Sequence, residues 1–440
     1  MPTKASKEAS LASLKPRRTN KPRRLTKANT TRKKTTTEPK LTTINWPDFD
    51  NEETAGINKT FITPAAKISG GGAPLNIPAP ETVYWRWLAW FGISVLVILL
   101  AGALIVLLNY PGLNSETATV SYQANKKTML PAATTPAALT GQLVTAEAAA
   151  RRPWAVIIEN FPTVRPQAGL AAADLVIESP TEGGITRFLT IYQSELPTGL
   201  VGPVRSARSF FNDWARPLAP FYSHSGGSEK ALKQLQKGYG DIQDVNEFFN
   251  AAAYQRDDSK TPPHNLFTTA ARFWDYVANQ KWNLTSVLPK LTFKDTLPAG
   301  KPAQNITIPY QPSEYQVVYN YKSNSNTYAR ATGGTTQFDS STNTPPAIKN
   351  VIILFTDITP IPNDALKRVD MKTTGSGKLM LFAGGQMYEG KWTKTDADSF
   401  FKFQDNDGND LILAPGKTWI SVIDKSQYSS IQISGASLTP

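Results

Sequence analysis

The chain has 440 residues and no cysteine. That excludes disulfides, thiolate metal ligands, a cysteine nucleophile and a lipid anchor on cysteine, and it assigns no redox compartment. Histidine is nearly missing as well: the two are His224 in "FYSHSGGS" and His264 in "TPPHNLF", so any imidazole chemistry rests on one or both of them. There is no Walker loop, no G-x-G-x-x-G, no H-E-x-x-H and no G-x-S-x-G, which leaves nucleotide, zinc-protease and serine-hydrolase readings without a motif. Nothing positions a serine beside either histidine, and no motif specifies a metal or a cofactor.

Charge is scarce outside one tail. The first forty residues hold 13 basic and 2 acidic residues, while the remaining 400 hold 34 and 33. The basic balance of the chain therefore belongs to "KPRRTNKPRRLTKANTTRKKTTTEPK", which lacks the apolar residues needed to offset the entropy of ordering. It reads as a disordered tail that fixes membrane orientation and touches anionic lipid; a nucleic-acid arm is the weaker reading. Residues 87–108, "WLAWFGISVLVILLAGALIVLL", carry no charge over 22 positions. As a helix rising about 1.5 Å per residue they cross the roughly 30 Å hydrocarbon layer. Tyr84, Trp85, Trp87 and Trp90 flank one end and Tyr110 the other, at the depth aromatic rings prefer. The basic tail places residues 1–86 in the cytoplasm and everything after about 109 outside.

Composition divides the rest. Within the tail, "NWPDFDNEET" and "SGGGAPLNIPAP" extend the cytoplasmic linker. Residues 109–150, rich in Ala, Thr and Pro, read as an extracytoplasmic tether. From 151 to 295, strand-like runs ("WAVIIEN", "ADLVIES", "TRFLTIYQS", "APFYSHSGG") alternate with helical ones. "SEKALKQLQKG" has Ser228 as cap, Ala231, Leu232 and Leu235 on one face and Gly238 as stop; "TTAARFWDYVANQ" has Thr269 as cap with Phe273, Trp274 and Val277 along one side. This predicts an α/β or α+β first extracytoplasmic domain. Residues 301–437 read as a mainly β second domain. "DNDGND" at 405–410 lacks the glycine and glutamate of a calcium loop at the sixth and twelfth positions, Asp410 and Gly416, and reads as a hairpin turn.

The polar candidates cluster in the first domain. His224 ends a strand and precedes a glycine turn that feeds a helix N-terminus, a place that favours an anion. "ESPTEGGITRF" puts Glu178 and Glu182 around a turn with Arg187 beyond it; Glu182 reads as acid, base, metal ligand or simply a partner of Arg187. In "GPVRSAR", Arg205 and Arg208 share a face if a helix starts at 204, against the dipole, and face opposite ways if the segment is a strand end. They hold either a phosphate or carboxylate or salt bridges to Asp213, Glu178 or Glu182.

These residues resemble the YerB-like family of bacterial envelope proteins, whose function is uncharacterised. The resemblance rests on "RPWAVIIENFPTVRPQAGLAAADLVIES", "EGGITRFLTIYQSELP", "GPVRSAR", "HSGGS", "PHNLFT", "GKWTK" and "GKTWISVI" and covers about 151–437. It implies a two-domain extracytoplasmic protein, often a lipoprotein; here a membrane helix stands in place of the lipidated cysteine. The family's polar motifs fall on Glu159, Asn160, Arg165, Gln167, Glu178, Glu182, Arg187, Arg205, Arg208, His224, His264 and Asn265. The strand order is also similar to that of the LytR-CpsA-Psr transferases. These sit outside on one N-terminal span and use arginines and an aspartate-bound magnesium to move glycopolymers off a lipid pyrophosphate. That similarity implies Arg187, Arg205 and Arg208 as phosphate ligands, although "GGIT" stands where an aspartate is expected. The leading expectation is an anionic envelope ligand, phosphate- or carboxylate-bearing, held by the arginines and oriented by His224 and Glu182. A transferase or hydrolase with His224 or Glu182 as general acid or base is the second, and an assembly protein the third.

Overall fold

The computed structural model describes residues 134–435. The tail, the expected span at 87–108 and the first part of the linker lie outside the described residues, and no helix among those described is long and apolar enough to cross a membrane. The tether expected to reach residue 150 stops short of it. Thr134–Pro136 pairs with Leu143–Thr145, a five-residue helix Ala146–Ala150 follows with Thr145 as its cap, and Ala137, Leu139 and Thr140 are buried. Small residues read as linker because each buries little area, but Leu139 joins the same apolar cluster as Leu288.

Three runs form the first strands: β1 (Trp154–Glu159), β2 (Leu175–Pro180) and β3 (Thr186–Tyr192). They are apolar almost without alternation because the sheet is covered on both faces. β3 lies between β2 and β1 and runs antiparallel to both. β1 then pairs in parallel with β4 (Phe221–His224), and β4 with β5 (Gln243–Asn246). On one face, α1 (Ser209–Ala215) and α2 (Glu229–Gln236) seat Phe210, Phe211, Trp214, Ala231 and Leu235 against Ala155, Ile157, Leu189 and Ile191. On the other, α3 (Ala270–Ala278) stacks Phe273 on Trp154 at 4.3 Å between ring centroids. The caps are those the sequence predicts: Ser228 Oγ accepts from Ala231 N at 3.4 Å and Thr269 Oγ1 from Arg272 N at 3.2 Å.

The later residues are strand-rich. They supply β6 (Asn305–Ile308), β7 (Val317–Lys322), β8 (Thr327–Thr332), β9 (Ile348–Thr356), β10 (Gly375–Ala383), β11 (Gln386–Lys394) and β12 (Lys417–Asp424). Among the described residues from 301 onward the helical turns are short 3-10 pieces. Around residue 405 the chain makes a hairpin-like turn in which Asp405 Oδ1 accepts from Asp407 N and Asn409 N. The two segments are joined edge to edge. β12 is parallel to β9 on one side and to β2 on the other, matching Thr418–Ser421 to Leu175–Glu178, so all these strands belong to one 16-stranded sheet. Its parallel members, β1, β2, β4, β5, β9 and β12, end on the same edge.

At that junction Arg330 of β8 reaches Glu178 of β2, Nη2 to Oε2 at 2.6 Å, with both side chains fully buried. Trp419, Phe188 and Tyr319 surround the guanidinium, Trp419 nearest at 4.6 Å from its ring centroid. Burial favours the neutral base, but Glu178 prevails and raises the arginine further above its ordinary value. Removing one partner strands a charge in the core. Arg330→Ala or Glu178→Ala should therefore lower stability by about 3–5 kcal/mol in urea titration, and Glu178→Leu combined with Arg330→Met should recover most of that. A loss under about 1 kcal/mol in either single variant would remove the pair's structural importance.

Candidate functional site

Where β4 ends, another segment takes its place beside β1. Glu159 N donates to Pro203 O at 3.0 Å and Arg205 N to Ile157 O at 2.9 Å. "GPVRSAR" is thus extended, stitched between β1 and the Gly226 turn by Ala207 N to Gly226 O at 3.1 Å. α1 starts only at Ser209, with Arg208 as its extended cap residue. The strand-end alternative is the one realised; no helical turn carries both arginines.

Alternation sorts the candidates onto two faces of the strand ends. Glu159 and Arg187 are direct cross-strand neighbours on the side of α1 and α2. Glu182, in the turn between β2 and β3, meets two guanidinium groups there: Arg208 through Nε, and Arg187 through Nη2 at 3.3 Å. Burial would raise the Glu182 carboxyl, but Arg208 and Arg187 prevail and hold it down at about 2. The turn needs its glycines. Gly183 and Gly184 have φ of 57° and 83°, and a Cβ on Gly184 would lie 2.2 Å from Gln311 O of the later segment.

Glu159 makes a second centre. Its carboxylate is 3.4 Å from Arg205 Nε and accepts from His264 Nδ1 at 2.9 Å to each oxygen. The Glu159 side chain is 3% exposed and that of His264 25%. Phe161 stacks on the imidazole at 5.5 Å between centroids, with planes 16° apart.

The opposite face binds structure to structure. Asn160 donates to Thr186 Oγ1 at 2.7 Å and accepts from Gln167 Nε2 at 2.7 Å and Arg165 Nε at 3.0 Å. Gln167 also accepts from Gln337 at 2.9 Å, and Arg165 reaches Glu314 O at 2.6 Å while lying over the Tyr315 ring. Glu178 belongs to this network through Arg330, Thr186 and Trp419 Nε1. Asn160, Arg165, Gln167 and Glu178 thus lie apart from the arginine cluster. Asn265, next to His264, has its Oδ1 accepting from Arg256 at 3.0 Å.

His224 is fully buried, and both ring nitrogens face oxygen acceptors: Nδ1 the Gly226 carbonyl at 2.7 Å, and Nε2 Asp244 Oδ1 at 2.8 Å. Both nitrogens are engaged within the protein and neither edge is open to a substrate, so its geometry fits positioning of the glycine turn. Glu182, kept ionised, has no proton to give near neutrality. The residues that sequence reasoning missed are Arg330, Gln337, Asp244 and Trp419. The one signal for Arg330 was a charge at an inward position of the alternating "TYARAT", between Tyr328 and Thr332. Among the described residues no three His, Asp or Glu side chains gather as a metal site requires.

The folded value of Glu182, about 2, lies below its ordinary 4.5. Its stabilisation is therefore complete above pH 4.5 and fades as pH falls toward 2. Glu182→Gln should cost about 3 kcal/mol at neutral pH and flatten the acid limb of the melting-temperature profile between those two values. An unchanged acid limb would show that the pair contributes nothing to folding.

Comparison with known proteins bears on the whole of this region. The family model for the N-terminal domain of "Protein of unknown function (DUF3048)" matches residues 139–283, and that for its C-terminal domain residues 306–420. A Bacillus subtilis protein described as "Putative lipoprotein YerB" is 35% identical over 303 residues, 67% of this chain and 88% of the relative. The crystal structure of YerB from Bacillus subtilis superposes with a TM-score of 0.61 at 33% identity, covering 68% of this chain and 99% of that one.

Proposed function

The chain belongs to the YerB-like family of two-part DUF3048 proteins, and from that premise we propose that it is an envelope protein that holds an anionic ligand at the carboxyl edge of its sheet. The span at 87–108 anchors it, with the basic tail inside against anionic lipid and residues 134–435 outside. The relative's description as a lipoprotein supports membrane attachment; here the apolar 22-residue run replaces the lipid. The basic residues are concentrated in the first forty positions, and we assign that tail to anionic lipid rather than to nucleic acid.

One observation carries the ligand reading. Arg187, Arg205 and Arg208, from two separate segments, converge beside Glu159, Glu182 and the partly open His264. In open α/β sheets the carboxyl ends of parallel strands are where ligands bind. A guanidinium's planar fork of donors suits it to hold a carboxylate and a phosphate oxygen together. Arg205 is the arginine nearest the rim, at 9% exposure against 1% for Arg187 and 3% for Arg208.

Inorganic pyrophosphate is the probe for this site. At about 100 times its dissociation constant it should stabilise the purified full chain by about 2.7 kcal/mol, seen as a raised melting temperature. Arg205→Gln should abolish the rise; because it also removes a cation 3.4 Å from the buried Glu159 carboxylate, the unliganded melting temperature falls too, and the readout is the ligand-induced rise measured from that lower baseline. No rise in the unsubstituted protein would sink the reading. Because the chain has no cysteine, Val287→Cys, at a 98% exposed position, gives one thiol for topology. A membrane-impermeant maleimide should label it in intact cells, and labelling only after permeabilisation would reverse the proposed orientation.

A further inference from the structure

Sequence reading favours His224 as the acid–base residue, yet the structure gives the two histidines opposite surroundings. His264 Nδ1 faces both oxygens of a buried carboxylate at 2.9 Å. A carboxylate accepts only, so Nδ1 carries the proton and the neutral ring keeps its lone pair on Nε2. Nδ1 is tied to a carboxylate that is 3% exposed, and the His264 side chain keeps a quarter of its surface open. Phe161 fixes the ring plane. Arg205 shares the Glu159 carboxylate, and its Nη1 lies 3.5 Å from the carbonyl of Pro263, the residue before the histidine. Arg205 and His264 therefore flank one buried carboxylate.

We infer that His264 is a general base acting on a phosphate ester or anhydride held by Arg205, with Glu159 as its positioning residue. The inference rests on the anion-site reading and adds a reaction to it. In the step, Nε2 takes a proton from water, and the water oxygen forms a bond to phosphorus as the bond from phosphorus to the leaving oxygen breaks. The leaving group departs with that electron pair, and the imidazolium returns its proton to solvent. Apart from the imidazolium, which forms on the side of the attacking water, neither other acid–base candidate in this cluster can protonate the leaving oxygen: Glu182 is held ionised by two guanidinium groups, and His224 is buried with both nitrogens engaged. The substrate class is accordingly one whose leaving group is stable as an anion, such as an aryl oxide or a second phosphate, and a simple alkyl phosphate is excluded.

The test uses the full chain with p-nitrophenyl phosphate and, in parallel, glycerol 2-phosphate. Turnover of the first and not the second is expected. His264→Asn should lower kcat by about 10²–10⁴-fold with KM and the pyrophosphate-induced melting shift retained. Glu159→Gln should lower kcat with KM retained. Since that variant also removes a buried charge beside Arg205, diethyl pyrocarbonate supplies an independent measure. It should modify His264 and spare His224, more slowly with pyrophosphate present. Turnover undiminished in His264→Asn, equal turnover of glycerol 2-phosphate, or modification of His224 in preference to His264 would overturn the assignment. A pyrophosphate-stabilised protein that hydrolyses neither ester would overturn the base and leave the anion site standing; no pyrophosphate binding would remove both.

Discussion

The ion pair between Glu178 and Arg330 is the constraint that the rest of the structure satisfies. Two charges with no solvent exposure cost least when most of their remaining hydrogen-bonding capacity is met. Here Glu178 also accepts from Thr186 Oγ1 at 2.9 Å and Trp419 Nε1 at 3.3 Å, and Arg330 donates to Gln337 Oε1 at 2.8 Å as well as to Thr332. Thr186, Trp419 and Gln337 lie on different strands or loops, and Thr332 shares β8 with Arg330. A slip of one residue between β12 and β2 would turn Glu178 to the other face of the sheet, since side chains alternate. The pair thus defends the register that makes two sequence segments one sheet.

That register reaches the candidate site through the backbone. Asn160 and Glu159 are consecutive, and alternation sends the first to the junction and the second to the arginines. Gln167 holds both ends of this relation, its Nε2 donating to Glu159 O at 3.1 Å and to Asn160 Oδ1 at 2.7 Å. The carboxylate that orients His264 is therefore set by the network that joins the later segment to the earlier one. This explains why polar residues so unlike in surroundings occur within a few positions of one another in the chain.

What could be read from sequence was local. Ser228 and Thr269 announce helices α2 and α3 because a cap and an apolar face lie within one turn or two of each other. The apolar runs of β1 to β3 announce strands covered on both sides, and the family resemblance placed the polar motifs in one region. Three features could not be read this way. "GPVRSAR" is extended because Ile157 and Glu159 offer it backbone partners, which are some fifty residues distant. His224 and His264 differ only in what surrounds them, a closed pair of acceptors against an open edge. Arg330 escaped notice because its meaning depends on Glu178, 152 residues away. Residues 134–150 misled for another reason: alanine-rich composition resembles a tether until a core is there to receive Leu139.

The turn at Glu182 ties these levels together. Gly184 has no side chain because Gln311 O presses on it, and Gly183 N donates to Lys367 O at 3.2 Å. Both contacts come from the later segment, so the position of the carboxylate that holds Arg187 and Arg208 depends on a part of the chain that contributes no arginine to the cluster. Ion pairing strengthens where the groups are withdrawn from water, so a displaced turn would weaken the hold of Glu182 on Arg208 and Arg187. The strand-rich segment, which carries none of the candidate binding groups, therefore controls how firmly the guanidinium groups are held. Its packing against the glycine turn sets where Glu182 meets Arg187 and Arg208.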